Sequence, residues 1–252
     1  GAATDVFINA DGFKKSISAP GPGNYLTVAK AVAAATQLVG IDAVRQRSFV
    51  HAHGSSTPAN RVTESELLDR VAAAFAIDSW PVAAVKAFVG HSLATASGDQ
   101  VISALGTFKY GIIPGIKTID EVAPDVHQQH LSISNVDRHD QRMDVCFINS
   151  KGFGGNNASA VVLAPHVVER MLRKRHGEAA FSAYQQRREQ TRANARAYDE
   201  QATKGQLDII YNFGNDLIDD TEIDIGSEQI KVPGFAQPLV YKQDDRYSDM
   251  LD

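Results

Sequence analysis

The sequence is poor in cysteine and in long apolar runs, and each shortage excludes a class of protein. Its 252 residues include one cysteine, Cys146, which excludes an internal disulfide and favours a reducing compartment such as the cytoplasm. No apolar run approaches the roughly 18 residues of a membrane-spanning helix. The first residues, Gly1 to Asp5, lack the basic and apolar regions of a signal peptide.

The chain also lacks an initiator methionine and an excess of positive charge. Residue 1 can therefore be an internal point of a longer chain, a processing product or an engineered boundary. The net charge of -5 argues against a dedicated nucleic-acid binder. The composition, 43% hydrophobic and 22% charged, is that of a globular protein with at least one full core.

Residues 1–165 alternate short apolar segments with helical patterns, as an α/β layer does. The strand candidates are Asp5–Asn9, Ser48–Ala52, Val82–Val85, Leu131–Ser134, Asp144–Asn149 and Ser159–Leu163. The helix candidates are Tyr25–Val39, Val62–Phe75 and His91–Tyr110. A glycine-rich loop joins the last two strands without room for a helix, so they should pair antiparallel. The fold prediction is α/β, with a mixed five-stranded sheet covered by helices.

Residues 166–252 differ in composition and are interpreted as a helical and extended C-terminal extension. Up to Lys204 this region favours helix and carries nine basic side chains against five acidic. From Gly205 onward eleven acidic side chains stand against three basic. The prediction is one or two basic helices followed by an acidic, partly extended tail. The basic stretch is either a docking surface for an acidic partner or a solvated helix face.

The first motif is His53-Gly54-Ser55-Ser56-Thr57-Pro58, which follows an apolar strand. Glycine permits close backbone approach in the turn, and proline fixes the start of a helix. The loop would present an imidazole together with the hydroxyls of Ser55 and Thr57. A helix-capping turn with an incidental histidine explains the same pattern.

The second motif runs from Lys86 to Gly90-His91-Ser92-Leu93. An apolar strand ends at Lys86, and His91 is expected to open a helix. The positive end of a helix dipole disfavours a charged imidazole, so His91 should stay neutral and act as a donor or base. A capping turn beside a buried lysine stem is the alternative.

The third motif is Asn149-Ser150-Lys151-Gly152-Phe153-Gly154-Gly155-Asn156. It lacks the third glycine and the following helix of a dinucleotide fingerprint, and the Lys-Ser/Thr of a phosphate loop. A glycine-rich hairpin with exposed backbone N–H groups suits an oxyanion site. A tight turn without a ligand remains the alternative.

Together and in this order, the motifs resemble the C-terminal half of a β-ketoacyl-ACP synthase, a condensing enzyme of the thiolase-like superfamily. The family patterns run close to H-G-T-S-T-P, K-x-x-x-G-H-S-L-G and N-S-F-G-F-G-G-x-N. The segment Gly12–Gly23 also resembles the stretch that precedes the first histidine in these enzymes. The resemblance covers residues 1–165 and implies decarboxylative condensation of an acyl thioester with malonyl-ACP, in fatty acid or polyketide synthesis.

The resemblance also implies a role for each motif residue. His53 and His91 would be neutral donors to the oxygen that becomes negative on decarboxylation, and Lys86 would organise the site electrostatically. Phe153 would supply an oxyanion N–H and a gating ring in the loop that it forms with Gly152 and Gly154. Ser55 and Thr57 would bind the phosphopantetheine arm of the acyl carrier protein. No other cofactor and no metal ligands are implied.

The motifs depart from the family at several positions. Arg61 replaces an aspartate, whereas Glu64 matches the acidic position that follows. Gln100 replaces a glutamate near Lys86, which would leave the lysine without its usual charge partner. Lys151 replaces a phenylalanine and should make the pocket entrance more polar. A smaller change is Ala94, which replaces a glycine.

No nucleophile is evident, because Cys146 lies inside an apolar strand without a helix start or a cation to lower its pKa. The resemblance places the catalytic cysteine in an N-terminal half, which this chain should need as a partner. The other implied partners are the acyl carrier protein and a second copy in a homodimer. Two alternatives remain, a non-catalytic subunit similar to chain-length factors and a carrier-protein docking module.

Overall fold

The computed structural model describes residues 1–12, 20–140, 142–207, 213–215 and 217–241. The chain divides into two compact units, Gly1–Gln185 and Gln186–Asp252. Part of the Gly12–Gly23 segment that resembles the condensing enzymes, residues 13–19, lies outside the described residues.

The first unit alternates strands and helices, as the apolar segments predict. It contains β1 (Ala2–Ala10), α1 (Pro22–Val39), α2 (Ile41–Gln46), β2 (Ser48–His51), α3 (Pro58–Ala74), β3 (Trp80–Ala83), α4 (Lys86–Val89) and α5 (Ala96–Tyr110). These are followed by β4 (Ile112–Ile113), β5 (Leu131–Ser132), β6 (Arg138–His139), β7 (Val145–Gly152) and β8 (Asn156–Leu163). The next helix, α6 (Pro165–Thr203), belongs to this unit only as far as Gln185. Prolines stand in the first turn of α1 and α3, where the missing N–H costs no hydrogen bond. Gly111 ends α5 in the left-handed conformation at φ 69°.

The main sheet has six strands in the order β1-β8-β7-β2-β3-β5. The prediction of a mixed sheet is confirmed, because β1, β8 and β7 pair antiparallel and β7, β2, β3 and β5 pair parallel. The count of five strands is wrong. All six strand candidates join the sheet, and the candidate Leu131–Ser134 supplies the edge strand β5, which pairs with Trp80 and Pro81.

The core lies on both faces of this sheet, because successive side chains of a strand point to opposite faces. Val145 and Phe147 of β7 belong to the cluster that packs on α1 and α3, whereas Cys146 and Ile148 belong to the cluster beside α5. Burial on both faces explains why β7 reads as a continuous apolar run. Because β2 pairs parallel with both β3 and β7, the carboxyl ends of these three strands meet at one edge of the sheet.

The C-terminal region begins in a helix. α6 begins at Pro165, at the predicted boundary, and contains a non-helical Gly177 at φ 79°. In the second unit, the described residues after α6 form an antiparallel three-stranded sheet, β11-β10-β9. Its strands are β9 (Asp224–Ile225), β10 (Gln229–Lys231) and β11 (Leu239–Val240). None of the described helices is long and apolar enough to cross a membrane.

Candidate active site

The candidate site lies at the edge where β2, β3 and β7 end. His53 follows β2 after one residue, Lys86 opens α4 after β3, and Lys151 is near the end of β7. The rings of His53 and His91 have centroids 5.4 Å apart and planes at 78°. The structure thus brings together the two histidines that the sequence singled out.

A buried carboxylate, Glu64, organises this edge. It lies on the buried face of α3 and is 4% exposed. Its Oε1 accepts from the backbone N–H of His53 at 2.6 Å and from Asn149 Nδ2 at 2.7 Å. Its Oε2 accepts from the N–H of Gly54 at 3.0 Å and from Asn60 Nδ2 at 2.8 Å. Two of these four donors belong to the loop after β2, which is thereby fixed to one carboxylate.

The His53 imidazole is held as a neutral donor. Its Nδ1 accepts from the backbone N–H of Lys151 at 3.2 Å, so the ring proton sits on Nε2. Nε2 is buried and has no hydrogen-bond partner in the part of the chain that the structure describes. Burial lowers the pKa of His53 to about 4, nearby Glu64 opposes this, and Lys86, His91 and Lys151 reinforce it. A buried N–H with no partner is a donor available to a ligand.

The Nδ1 atom of His91 also accepts a backbone hydrogen bond, but within its own loop. The expectation that it opens a helix is wrong, because α5 begins at Ala96 and His91 lies in the preceding loop. The loop turns through a left-handed Leu93 at φ 58°, which a continuous helix cannot accommodate. The N–H of Leu93 donates to His91 Nδ1 at 3.0 Å, so His91 also presents Nε2–H. The tautomer of His91 is therefore set by this local hydrogen bond and not by a helix dipole.

Lys86 contacts the same loop. Its Nζ donates to the backbone carbonyl of His53. Burial lowers the pKa of Lys86, while the carboxylates of Glu64 and Asp99 raise it. Gln100 supplies no negative charge to Lys86, but the carboxylates of Glu64 and Asp99 both act on it. The strand ends at Ala83, two residues before the predicted end at Val85, and Lys86 opens the short helix α4.

Gln100 has a structural use that a glutamate could not serve. It is fully buried, and its Nε2 donates to the carbonyls of Ala52 at 2.8 Å, Asn149 at 3.1 Å and His51 at 3.4 Å. Its Oε1 accepts from Ser150 Oγ at 3.2 Å. The amide thus links the end of β2 to β7 by hydrogen bonds to main-chain carbonyls of both segments.

We expect Gln100→Glu to lower the free energy of unfolding by about 3 kcal/mol at neutral pH, because a carboxylate would face three carbonyl oxygens. The loss should shrink in mild acid, where the protonated side chain can donate again. Urea unfolding of the protein at two pH values measures both effects. The control is Gln37→Glu on the exposed face of α1, and equal stability of the two variants would contradict the role of Gln100.

The glycine-rich motif is a tight turn between paired strands. β7 and β8 pair antiparallel, as predicted, and Phe153–Gly155 form the turn with Gly154 at φ 76°. The ring of Phe153 is 81% exposed. The Phe153 carbonyl accepts from Asn156 Nδ2 at 2.7 Å. Gly152, Phe153 and Gly154 therefore lie where β7 ends and its turn begins, with the ring of Phe153 facing solvent.

Ser55 and Thr57 lie on the loop after His53, with their hydroxyl oxygens 3.2 Å apart. A cavity of about 770 Å³ opens on the same loop, between α3, β3 and residues 116–133. Its wall includes Gly54, Asn60 and Glu64. Most of the other lining residues are apolar, so the cavity suits an uncharged chain beside a few polar groups.

Two sequence expectations concern the remaining reactive groups. Cys146 is fully buried, and burial raises the pKa of its thiol well above its usual range, so it is no nucleophile. Lys151 does not make an entrance more polar, because it is 9% exposed and its Nζ donates to Asn60 Oδ1 at 3.1 Å. Within the described ranges no cluster of side chains could hold a metal ion.

The sequence reasoning missed the amides that complete the network. Asn149 Oδ1 accepts from Asn24 Nδ2 of α1 at 2.7 Å, across 125 positions of the chain. His51 was also missed: it is fully buried, and burial and then Lys86 lower its pKa to about 4. The proximity of Asn24 and Asn149 has no local sequence signal, since it depends on how α1 packs against β7.

The chain is similar to known condensing enzymes. Residues 1–120 match the family described as "Beta-ketoacyl synthase, C-terminal domain". The chain is 77% identical, over all its length and 40% of the relative's, to the Pseudomonas aeruginosa protein "Beta-ketoacyl-[acyl-carrier-protein] synthase FabY". It is 31% identical over 114 residues to "3-oxoacyl-[acyl-carrier-protein] synthase 1" of Escherichia coli K12, covering 45% of this chain and 27% of that protein.

The fold agrees with these relatives. The crystal structure of the noncanonical ketosynthase FabY from P. aeruginosa superposes with a TM-score of 0.87 and covers 100% of this chain and 40% of its own. The chain thus spans less than half the length of the curated relatives it matches, and it has the α/β, thiolase-like fold of their C-terminal part. Residues 1–120 of this chain are thus a β-ketoacyl synthase C-terminal domain.

Proposed function

We propose that this chain is part of a β-ketoacyl-ACP synthase, an acyltransferase that condenses an acyl thioester with malonyl-ACP in fatty acid or polyketide synthesis. One observation carries the proposal. His53 and His91 lie with ring centroids 5.4 Å apart, and in each ring Nδ1 accepts a backbone N–H. Both rings therefore carry their proton on Nε2, and we infer that the two N–H groups donate to one ligand atom.

This geometry suits decarboxylation of a malonyl thioester. The bond between the carboxylate and the adjacent carbon breaks, CO2 leaves, and the electron pair moves onto the thioester oxygen as an enolate. The two Nε2–H groups donate to that oxygen, and preorganised donors of this kind contribute about 2.7–4 kcal/mol each. The enolate carbon then attacks an acyl thioester on a cysteine, whose thiolate is the leaving group.

The remaining site residues support the two thioester substrates. The Ser55 and Thr57 hydroxyls would bind the phosphopantetheine arm, and the Phe153 N–H would stabilise the oxyanion of the acyl thioester. The exposed Phe153 ring would gate the acyl pocket, because the left-handed Gly154 beside it tolerates rearrangement of the turn.

The proposed partners follow from what this chain lacks. The nucleophilic cysteine would come from an N-terminal segment, since the thiol of Cys146 is buried in the core. The acyl carrier protein would deliver malonyl groups to a homodimer of the complete synthase, defined here as this chain together with that segment. A single cysteine fits a cytoplasmic location.

The test is to assay the complete synthase with malonyl-ACP and an acyl primer. We expect release of CO2 and formation of a β-ketoacyl product, and the Cys146→Ala control should keep both. A complete synthase that neither decarboxylates nor condenses would contradict the proposal and favour a non-catalytic subunit of the same fold.

A further inference from the structure

Lys151 is an unusual residue to find beside the histidine pair. It is the second-last residue of β7 and, at 9% exposure, one of the few buried charged side chains among the described residues. Its backbone N–H donates to His53 Nδ1 at 3.2 Å. Its Nζ donates to Asn60 Oδ1 at 3.1 Å. One residue therefore contacts the catalytic loop through its main chain and α3 through its side chain.

These contacts close a ring of hydrogen bonds around His53. Asn60 Oδ1 accepts a hydrogen bond from the Lys151 ammonium, and Asn60 Nδ2 donates to Glu64 Oε2 at 2.8 Å. Glu64 Oε1 accepts from the backbone N–H of His53 at 2.6 Å. The His53 ring closes the network, because its Nδ1 accepts from the backbone N–H of Lys151. The orientation of the Asn60 amide is fixed by this arrangement, because the ammonium requires an oxygen and the carboxylate requires an N–H.

The charges in this ring also favour a neutral imidazole. The titratable groups that act on His53 are Glu64, Lys86, His91 and Lys151. Two ammonium groups stand against one carboxylate, so protonation of His53 would place a third cation in a poorly solvated site. Burial is the largest cause that lowers the pKa of His53, and Lys151 adds to it.

We propose that Lys151 is a positioning residue: its main-chain N–H holds His53 in the Nε2–H form, and its side chain holds the backbone of His53 in place through Asn60 and Glu64. The inference rests on the proposed function, since it concerns how His53 donates to the substrate. It assigns Lys151 a role in the reaction through its contacts with His53 and Asn60.

The experiment compares three variants of the complete synthase. Lys151→Met removes the charge and the hydrogen bond, Lys151→Gln removes only the charge, and Lys151→Arg keeps the charge. We expect Lys151→Met to lower kcat for malonyl decarboxylation about tenfold at neutral pH with little change in KM. In Lys151→Met and Lys151→Gln the acid limb of the pH–rate profile should move up by about half a unit to one unit.

Lys151→Arg should keep the native acid limb, and Lys117→Met, at an exposed lysine paired with Asp137, should leave the whole profile unchanged. An unchanged acid limb in Lys151→Gln would overturn the inference, and this variant decides the question where Lys151→Met does not fold. The proposed function fails separately, if the unaltered complete synthase itself shows no decarboxylation.

Discussion

Replacement of either His53 or His91 by alanine in the complete synthase is expected to reduce malonyl decarboxylation about 10²- to 10³-fold, or about 2.7–4 kcal/mol in activation free energy. The reason is geometric, since the two rings lie with centroids 5.4 Å apart and both carry their proton on Nε2. CO2 release from malonyl-ACP without an acyl primer measures this step alone.

Amide variants separate a donor from a base. Asn at position 53 can accept the N–H of Lys151 at Oδ1 and donate from Nδ2, so His53→Asn should recover part of the activity that His53→Ala loses. A general base would not be replaced in this way, because an amide does not take up a proton at neutral pH. His127→Ala, at an exposed histidine of the same unit, is the control and should be as active as the unaltered protein.

Two outcomes would contradict this assignment. The first is decarboxylation in His53→Ala or His91→Ala at the rate of the His127→Ala control. The second is loss of acyl transfer to the cysteine with decarboxylation intact, which would place the histidines in the other half-reaction. In the double variant, the rise in activation free energy for decarboxylation should be less than the sum of the rises in the two single variants, because the two donors serve one oxygen.

The sequence predicts the positions of these histidines well because parallel strands impose them. Three motifs at the carboxyl ends of strands must meet at one edge of a sheet, and His53, His91 and Lys151 do so. The local conformation of His91 was not predictable from the helix-like run of small residues that follows it. A left-handed Leu93 displaces the helix start to Ala96, and no residue type in that run requires such a turn.

The supporting network was predictable only in part. Glu64 could be identified from its place after the first motif, but its four donors come from the loop after β2, from α3 and from β7. The Asn149 amide that reaches it is 85 positions away in sequence. Such contacts depend on tertiary packing, and neither periodicity nor propensity carries information about them.

Glu64→Gln is expected to have the largest effect on stability of any single isosteric change at this site. One carboxylate oxygen would become an NH2 group that faces two N–H donors, and Lys86 would lose a negative neighbour. Removal of one partner from a buried charged network costs about 3–5 kcal/mol. Urea unfolding of the protein measures the loss, which should appear as a lower midpoint with an unchanged m-value.

The matched control lies on the same helix. Glu66→Gln removes a carboxylate whose side chain is 43% exposed and 3.7 Å from Arg70, so it should cost less than about 0.5 kcal/mol. A similar loss in both variants would show that Glu64 acts only as a surface charge and would contradict the network. A large loss confined to Glu64→Gln would mean that the loop bearing His53 is held in place by a buried negative charge. In that case decarboxylation by the folded fraction should also fall, because the imidazole can donate only where its backbone is fixed.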